Sequence, residues 1–222
     1  MPQEKIHDLQ AGYDRIAEEY ARRIYDELRN KPLDRQLLDR FAESVRGGGI
    51  TCDLGCGPGQ VARYLHERGV EVCGVDLSQR MVEIARRLNP GIEFHLGDMR
   101  SLSIKDNAWT GISAFYSIVN LPSSDVVSAA REMMRVLGPG GRLLLAFHIG
   151  DDHVHTEDDL WGLGVTLQTT LFRVGTIDGY LRSAGFEIDE TIERDPCAAD
   201  VEYQSRRAYI FAHKPVTKTV SE

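Results

Sequence analysis

A short apolar stretch that runs directly into a glycine-rich loop constrains the fold of this chain more than any other feature. Residues 50–54 are mostly apolar, and Gly55, Gly57 and Gly59 follow at alternate positions. Glycine lets the backbone turn tightly and approach a ligand closely, as the chain must where a buried strand gives way to its helix. The segment therefore predicts the first strand and helix of a doubly wound sheet, with a ligand-binding loop at the carboxyl end of the strand.

The chain beyond this loop alternates strand-like and helix-like patterns. Further strands are predicted at residues 70–75, 92–96, 111–117 and 142–147. Two more, at residues 186–193 and 206–213, are joined by a loop without helical pattern, which favours an antiparallel pair. We expect a Rossmann-like α/β fold: a doubly wound sheet of seven strands with an antiparallel C-terminal strand and helices on both faces.

The organisation along the chain follows from the same patterns. Residues 1–46 carry two helical stripes of apolar side chains, the first with a break expected near Gly12. We expect them to form an N-terminal helical cap, followed by a core over residues 47–215. A lid-like insertion is expected at about residues 148–175, where the pattern is mixed, and residues 216–222 are expected to be a disordered tail.

Composition excludes several classes of partner. The chain has 222 residues, with 26 Lys and Arg against 34 Asp and Glu and a net charge of −8, so phosphate backbones are repelled and no nucleic-acid partner is expected. No apolar run approaches the roughly 20 residues that span a bilayer, and the polar N-terminus does not resemble a signal peptide. The four cysteines lack disulfide density or paired metal-ligand spacing, and we expect free thiols in the cytoplasm: Cys52, Cys56, Cys73 and Cys197.

An acidic residue at the end of the second strand identifies the class of ligand. Asp76 lies 21 residues after Gly55, and an acid at about that spacing accepts hydrogen bonds from ribose hydroxyls. The two features together predict a nucleoside-type ligand. The structural alternative is a tight turn at the glycines and a helix-capping role for Asp76.

Details of the loop separate two nucleoside ligands. A dinucleotide loop places glycine where this chain has Gln60. Asp53, two residues before the first glycine, is out of place beside a pyrophosphate but suits a ligand that carries an ammonium or sulfonium charge. The loop is also not a Walker loop, since no Gly-Lys-Ser/Thr follows it.

Four motifs resemble those of the class I S-adenosylmethionine-dependent methyltransferases, most closely the bacterial small-molecule type. They are ITCDLGCGPGQ, VCGVDLSQRMVEIAR, FHLGDMRSL and VLGPGGRLLLAF. The resemblance covers about residues 13–147 by motif and extends to the C-terminus at the level of the fold. It implies S-adenosylmethionine as the cofactor, S-adenosylhomocysteine as the product and a small-molecule methyl acceptor.

The resemblance also implies roles for individual residues. Asp53 and Gly55 would lie by the methionine moiety, and Gly57 along the cofactor backbone. Asp76 would hold the ribose hydroxyls. The residues expected around the adenine and the reacting methyl group, or elsewhere in the cofactor site, are Cys56, Leu77, Met81, Asp98, Met99, Phe115, Tyr116 and Ser117.

The N-terminal region resembles the helix that covers the cofactor in many members of the family. Tyr13 and Tyr20 lie on its apolar stripe and are predicted to contact the cofactor, although packing into the core explains the same spacing. On this view residues 1–46 are a cap over the cofactor.

The segment of residues 148–159 holds three histidines and five acidic residues. A solvated loop, a substrate-facing segment and a metal site all fit this composition. Because the cofactor motifs are complete without it, we expect no metal in cofactor binding. His148, nearest the end of the fifth strand, is the candidate catalytic residue, as a general base or an orienting group.

The predicted function is methyl transfer from S-adenosylmethionine to a small molecule by in-line displacement. Two alternatives stay open. One is a non-catalytic regulatory protein that binds S-adenosylmethionine or another nucleoside. The other is an NAD-dependent oxidoreductase, which Gln60 and Asp53 disfavour. The acceptor, its reacting atom and the oligomeric state do not follow from the sequence. Residues 115–120 lack the Asn-Pro-Pro-Tyr-like run that in this family marks methylation of planar nitrogens.

Overall fold

The computed structural model describes residues 2–216 as alternating helices and strands. The helices are α1 (Pro2–Ile24), α2 (Pro32–Val45), α3 (Gln60–His66), α4 (Gln79–Leu88), α5 (Ser123–Val136) and α6 (Val174–Ala184). The strands are β1 (Thr51–Leu54), β2 (Val72–Asp76), β3 (Glu93–Leu96), β4 (Trp109–Phe115), β5 (Leu137–His148), β6 (His153–Glu157), β7 (Leu167–Leu171), β8 (Glu187–Arg194) and β9 (Arg207–His213). Residues 217–222, and with them most of the predicted tail, lie outside the described residues.

Seven of the strands form one sheet in the order β3-β2-β1-β4-β5-β9-β8. The first five run parallel, whereas β9 pairs antiparallel with both β5 and β8. The predicted fold is confirmed, including the antiparallel C-terminal strand. The strand order reverses between β1 and β4, and in sheets of this kind ligands bind outside the carboxyl ends of the strands at that switch point.

Helices cover both faces of the sheet because successive side chains of a buried strand point to opposite sides. In β5, Leu143, Leu145 and Phe147 pack into the apolar core that α5 and α6 cover. The alternate residues Leu144 and Ala146 pack into a second core beneath α2, α3 and α4. Such strands read as continuous apolar runs, which is how the sequence revealed them.

The first helix is continuous through Gly12, so the expected break there is wrong. Its apolar face packs on α4, with Ala17 and Ala21 of α1 against Met81 and Ile84. Tertiary packing of this face outweighs the modest helix penalty of one glycine.

The predicted lid-like region contains a two-stranded antiparallel sheet, β6 and β7, that stands apart from the main sheet. It packs on the face of α1 that carries Ile16, which meets Val165 and Leu167. Gly12 permits this approach, because a Cβ there would lie 3.2 Å from Val165 Cγ1 and 3.3 Å from Leu167 Cδ2.

Several predicted boundaries change. The strand predicted at residues 142–147 is longer in the structure, where β5 includes the glycines of residues 138–141, begins at Leu137 and pairs there with Trp109. Neither serine at the start of α5 caps it with its side chain, whereas Ser78 caps α4: its Oγ accepts from the Met81 amide at 3.1 Å. Within residues 2–216 no helix has the length and apolarity needed to cross a membrane.

Candidate cofactor-binding cleft

The glycine loop has a backbone that only glycine adopts easily. Gly55, Gly57 and Gly59 have φ values of +75°, +51° and +86°. A Cβ on Gly55 would lie 2.3 Å from Ser117 Cβ, and one on Gly59 would lie 2.7 Å from Asn89 Nδ2. The loop between β1 and α3 is therefore pressed against its neighbours, with its backbone turned toward the carboxyl edge of the sheet.

The Asp76 carboxylate joins this loop to the next strand. Its Oδ2 accepts from the Gly57 amide at 2.8 Å, and its Oδ1 accepts from the Ser78 amide at 2.9 Å. Burial raises the pKa of this carboxyl above its usual range, against the effect of these hydrogen bonds. Asp76 also lines the cleft. The same side chain therefore accepts from the backbone at the start of α4 and faces the place of a ligand.

A cleft of about 810 Å³, including its open mouth, lies over the switch point between β1 and β4. All but one of the predicted cofactor-binding residues line it: Tyr13, Tyr20, Gly55, Cys56, Gly57, Asp76, Leu77, Met81, Asp98, Met99, Phe115, Tyr116 and Ser117. Residues 13 to 117 of the chain thus converge on one site, because the carboxyl ends of β1, β2 and β4 and the underside of α1 meet there.

Helix α1 closes one side of the cleft and is held there by polar contacts. Asp14 accepts from Ser78 Oγ at 2.5 Å and from the Arg80 amide at 3.1 Å, which links α1 to the first turn of α4. The rings of Tyr13 and Tyr20 pack edge to face with centroids 5.8 Å apart. Both tyrosines therefore pack on neighbouring residues and also line the cleft. Their spacing is consistent with both interpretations, packing into the core and contact with the cofactor.

Two other predicted residues have environments that decide their chemistry. Asp98 is held by Arg100, whose amide and guanidinium both donate to it, and Arg100 also pairs with Asp125 at 2.7 Å. Burial acts against ionisation of Asp98, but the Arg100 contacts prevail and lower its pKa.

Burial, reinforced by nearby acidic groups, raises the pKa of the Cys56 thiol, so this cysteine lacks the thiolate that a nucleophile needs.

Asp53 lies beneath the cleft and does not line it. Its Oδ2 accepts from the Ala62 amide at 3.0 Å and its Oδ1 from Ser113 Oγ at 3.2 Å, which ties β1 to α3 and β4. Burial raises the pKa of Asp53 to about 7, although both hydrogen bonds oppose the shift.

His148 also lies outside the lining of the cleft, beyond Tyr116. Its Nδ1 is 2.8 Å from Ser205 Oγ, and its ring centroid is 5.1 Å from that of Tyr116. Burial, followed by the charges of Arg207 and Lys31, lowers the pKa of His148 to about 3. The imidazole is neutral at physiological pH but a weak base.

Part of the lining was not predicted from the sequence: Leu9, Gln10, Leu54, Gln60, Val75, Ser78, Gly97, Asn120 and Leu121. Most are direct neighbours of predicted residues. Asn120 and Leu121 belong to a short 3-10 turn after β4 and its end, and Leu9 and Gln10 lie one turn before Tyr13 on α1. Their spacing of one helical turn from a predicted contact is the signal that could have identified them.

Two orphaned polar atoms show that the cleft fits a polar ligand. Ser117 Oγ and Gln60 Oε1 are buried with no hydrogen-bond partner among the described residues, and both side chains line the cleft. Buried polar groups normally find partners, so a ligand with donors and acceptors suits this place. The combination of polar groups, an apolar wall and backbone exposed at three glycines fits a nucleoside joined to an amino acid.

The histidine-rich segment shows local pairing. His153 contacts Asp151, and His155 Nε2 lies 3.4 Å from Glu157. Within the described side chains, no group of three or more His, Cys, Asp and Glu is arranged to hold a metal ion.

Comparison with known proteins agrees with this site. Residues 52–141 match the model of a family described as a methyltransferase domain. The methyltransferase GfsG of Streptomyces halstedii is 36% identical over 121 residues, which are 51% of this chain and 42% of the relative. A demethylmenaquinone methyltransferase of Beutenbergia cavernae is 31% identical over 144 residues, 63% of this chain and 58% of the relative. The chain spans about half the length of the curated relatives it matches.

The fold has a solved counterpart. An S-adenosylmethionine-dependent methyltransferase from Methanosarcina mazei superposes with a TM-score of 0.68 and 19% identity, over 75% of this chain and 92% of that one. Residues 52–141 thus resemble a methyltransferase domain, and the chain has the fold of a solved S-adenosylmethionine-dependent methyltransferase.

Proposed function

We propose that this protein transfers the methyl group of S-adenosylmethionine to a small-molecule acceptor. The observation that carries the proposal is the convergence of the glycine loop, Asp76 and the two α1 tyrosines on one cleft at the switch point of the sheet. The demethylmenaquinone methyltransferase among the relatives supports an acceptor of low molecular weight. We also propose the cytoplasm as its location and no nucleic acid among its partners, in keeping with the net charge of −8.

The proposed placement of the cofactor follows the polarity of the cleft. Asp76, whose oxygens keep lone pairs beyond the two backbone contacts, would accept from the ribose hydroxyls. Leu77 and Met99 would contact the adenine, with Asp98 at its amino group. Gly55 and Gly57 would run along the amino-acid part. Asp53, whose pKa is about 7, would act on it from below by its charge when it is deprotonated.

The bound cofactor supplies a methyl group on a positively charged sulfur, which leaves as a neutral thioether once the acceptor has formed its bond to the methyl carbon. The protein orients the two reactants and excludes water. Orientation of bound reactants alone supplies a large share of the acceleration that such displacements require. Phe115 and Ser117, at the end of β4, form the wall on which we place the methyl group.

His148 has a narrower role in this proposal than a general base. A base with a pKa of about 3 removes a proton from a neutral hydroxyl or amine very inefficiently at physiological pH. We propose that His148 orients the acceptor from behind Tyr116, and that the acceptor reacts as an anion or as an already unprotonated nucleophile.

One experiment tests the function. The protein is incubated with methyl-labelled S-adenosylmethionine and a fractionated metabolite extract, with boiled protein as the control, and labelled products are separated. The proposal requires a labelled small molecule and an equal amount of S-adenosylhomocysteine. Tight cofactor binding without any labelled product across the fractions would favour a regulatory protein, and binding of NAD in preference to S-adenosylmethionine would favour an oxidoreductase.

A further inference from the structure

Gln60 presents an unpaired hydrogen-bond acceptor at the cleft. Its side chain lines the cleft, and its Oε1 is buried with no hydrogen-bond partner among the described residues. The other end of the same amide is engaged, because Nε2 donates to Glu27 Oε1 at 3.1 Å. A buried acceptor without a partner costs free energy, so this oxygen suits a donor on a ligand.

Glu27 determines which end of the Gln60 amide is free to meet a ligand. In the opposite orientation the amide oxygen would lie beside the carboxylate oxygen with no hydrogen between them, and the two oxygens would repel each other. The carboxylate is anchored in turn by Lys31, whose Nζ donates to Glu27 Oε2 at 2.6 Å. The Lys31 side chain is 5% exposed and that of Glu27 15%, so solvent screens this contact weakly. We call Lys31, Glu27 and Gln60 the amide relay.

The direction of the hydrogen bonds along the amide relay is fixed. Lys31 can only donate, an ionised Glu27 can only accept, and Gln60 therefore donates to Glu27 with its nitrogen. A second carboxylate, that of Glu202, also lies near Lys31, but at the longer distance of 3.6 Å. Glu27 is thus the closer partner of Lys31, and the relay ends in an acceptor on Gln60.

This acceptor belongs to the part of the cleft in which we place the amino-acid portion of the cofactor. Gln60 is the first residue of α3, directly after the glycine loop, and Tyr20 packs over Gly57, where a Cβ would lie 3.7 Å from Tyr20 Cε1. In the part of the chain that the structure describes, no Lys, Arg or His lines the cleft, whereas Asp76 and Asp98 do. These surroundings favour a positively charged donor over an anion.

We propose that Gln60 Oε1 accepts a hydrogen bond from the α-ammonium group of the bound cofactor, and that Glu27, held by Lys31, is the positioning residue that orients it. This inference rests on the proposed use of S-adenosylmethionine. The amide relay then distinguishes the two charged groups of the amino acid, because a carboxylate offers only acceptors and cannot pair with the Gln60 oxygen.

Three ligands separate these contacts: S-adenosylhomocysteine, its analogue without the amino group and its analogue without the carboxylate. Calorimetry measures the affinity of each for the unmodified protein and for Gln60→Met, which keeps the length of the side chain and removes both polar atoms. We expect Gln60→Met to weaken S-adenosylhomocysteine and the decarboxylated analogue on the order of tenfold, because it removes a hydrogen bond to a charged group. The deaminated analogue should bind both proteins equally. No loss, or a loss that depends on the carboxylate instead of the amino group, would overturn the inference.

Glu27→Gln tests the positioning role with almost no change of shape. Lys31 should still hold the side-chain oxygen at position 27, so the new amide nitrogen would face Gln60. Gln60 would then turn its oxygen toward position 27 and its nitrogen toward the cofactor ammonium. We expect the decarboxylated analogue to weaken at least as much as in Gln60→Met, with the deaminated analogue not weakened. Unchanged affinities, or equal weakening of both analogues, would show that Glu27 does not orient Gln60.

The double variant Glu27→Gln/Gln60→Glu provides a rescue. The amide at position 27 can accept from Lys31 and donate to the carboxylate at position 60, whose second oxygen then faces the cleft. We expect the preference for ligands with an amino group to return to within a few-fold of that of the unmodified protein. A folded double variant without this preference would overturn the positioning role. Circular dichroism checks the fold, and if the double variant does not fold, the responses of the two analogues in Glu27→Gln decide.

Gln79→Met is the matched control. Gln79 also begins a helix, and its Nε2 also donates to a glutamate, Glu83, at 3.2 Å, but this pair is exposed and does not line the cleft. It should change none of the three affinities. If the unmodified protein binds S-adenosylhomocysteine but Gln60→Met behaves like Gln79→Met, the inference fails and the proposed function stands. If the unmodified protein binds none of the three ligands, the proposed function itself fails.

Discussion

Asp76 combines two duties in one carboxylate, because it holds the backbone of the glycine loop and faces the cleft. We expect Asp76→Ala to weaken S-adenosylmethionine and S-adenosylhomocysteine by a similar factor, on the order of 10- to 100-fold, since hydrogen bonds to a charged group contribute about 1.5–3 kcal/mol. Calorimetric titration of both ligands checks this. Asp76→Asn should lose nearly as much, because the amide has no charge.

The structure adds a consequence for the stability of these variants. Loss of the acceptor for the Gly57 and Ser78 amides should lower the melting temperature of Asp76→Ala by a few degrees, with Asp76→Asn affected less, since one amide oxygen remains. Unchanged affinity in a folded Asp76→Ala protein would remove Asp76 from the proposed cofactor site.

Alanine substitutions at Gly55 and Gly91 together test the role of the glycine loop in cofactor binding. Both have positive φ, +75° and +102°, but a Cβ on Gly55 meets Ser117 at 2.3 Å, whereas one on Gly91 meets nothing within 4 Å. Gly91→Ala should cost about 1 kcal/mol of stability from backbone strain and leave cofactor affinity unchanged. Gly55→Ala should additionally displace Ser117 and reduce cofactor affinity by at least tenfold. Equal affinities of the two variants, measured by calorimetry, would contradict the proposed geometry.

Helix α1 lines one side of the cleft and the β6–β7 region packs against it, and we propose that the two act as a double cover over the cofactor. Tyr20 of α1 lines the cleft and also packs on Trp161, whose ring lies under the Arg23 guanidinium at 4.7 Å. The second cover therefore supports the first, and contacts between them should control how fast the cofactor leaves.

The Gly12→Leu variant tests this coupling. The larger side chain cannot fit between α1 and residues 165–167, so the two covers should separate and S-adenosylhomocysteine should dissociate several-fold faster in a stopped-flow displacement assay. Gly179→Leu is the control, because Gly179 also lies within a helix but a Cβ there meets nothing within 4 Å. Identical dissociation rates in both variants would show that the covers are independent.

The elements differ in how far local sequence determines them. Local chemistry marks both ends of helix α4, with Ser78 as its N-cap and Asn89 as its C-cap. The pairing of β6 with β7 was not predicted, since its side chains alternate weakly and its position depends on packing against α1. The strand expected at residues 142–147 begins earlier, at Leu137, because β4 and Lys214 supply partners for residues 137–141.

The candidate site shows the same division. Residues at the ends of β1, β2 and β4 were predictable because parallel strands bring their carboxyl ends to one edge. The depth of Asp53 and the position of His148 beyond Tyr116 were not, since both depend on side-chain contacts with distant segments, Ser113 and Ser205. The ion network around Arg194 joins α2, β8 and the loop of residues 195–206, and no local pattern indicates it.

At the scale of the whole molecule, Asp53 makes stability depend on pH. Its pKa is about 7 in the folded protein and near 3.8 when exposed, so the folded state keeps a proton that the unfolded chain has lost. The contribution of this group is most favourable below about pH 4, declines as pH rises toward 7 and is constant above it.

Asp53→Asn should remove the decline in stability that Asp53 causes as the pH rises toward 7. The amide side chain keeps an acceptor and a donor for Ala62 and Ser113. We expect its free energy of unfolding at pH 8 to exceed that of the unmodified protein by on the order of 1–3 kcal/mol, with a smaller difference at pH 5. Urea unfolding at both values measures it. Glu93→Gln, at a largely exposed acid, is the control and should show no such pH-dependent gain; the same gain in both variants would contradict the assignment to Asp53.

Three parts of the chain enclose the proposed cofactor: α1, the carboxyl edge of the sheet and, behind α1, the β6–β7 region. Calorimetric titration of the unmodified protein with S-adenosylmethionine, with NAD in a parallel experiment, tests this central claim most directly. The account predicts one S-adenosylmethionine bound per chain and no heat of binding for NAD. Failure to bind S-adenosylmethionine, or preference for NAD, would contradict it.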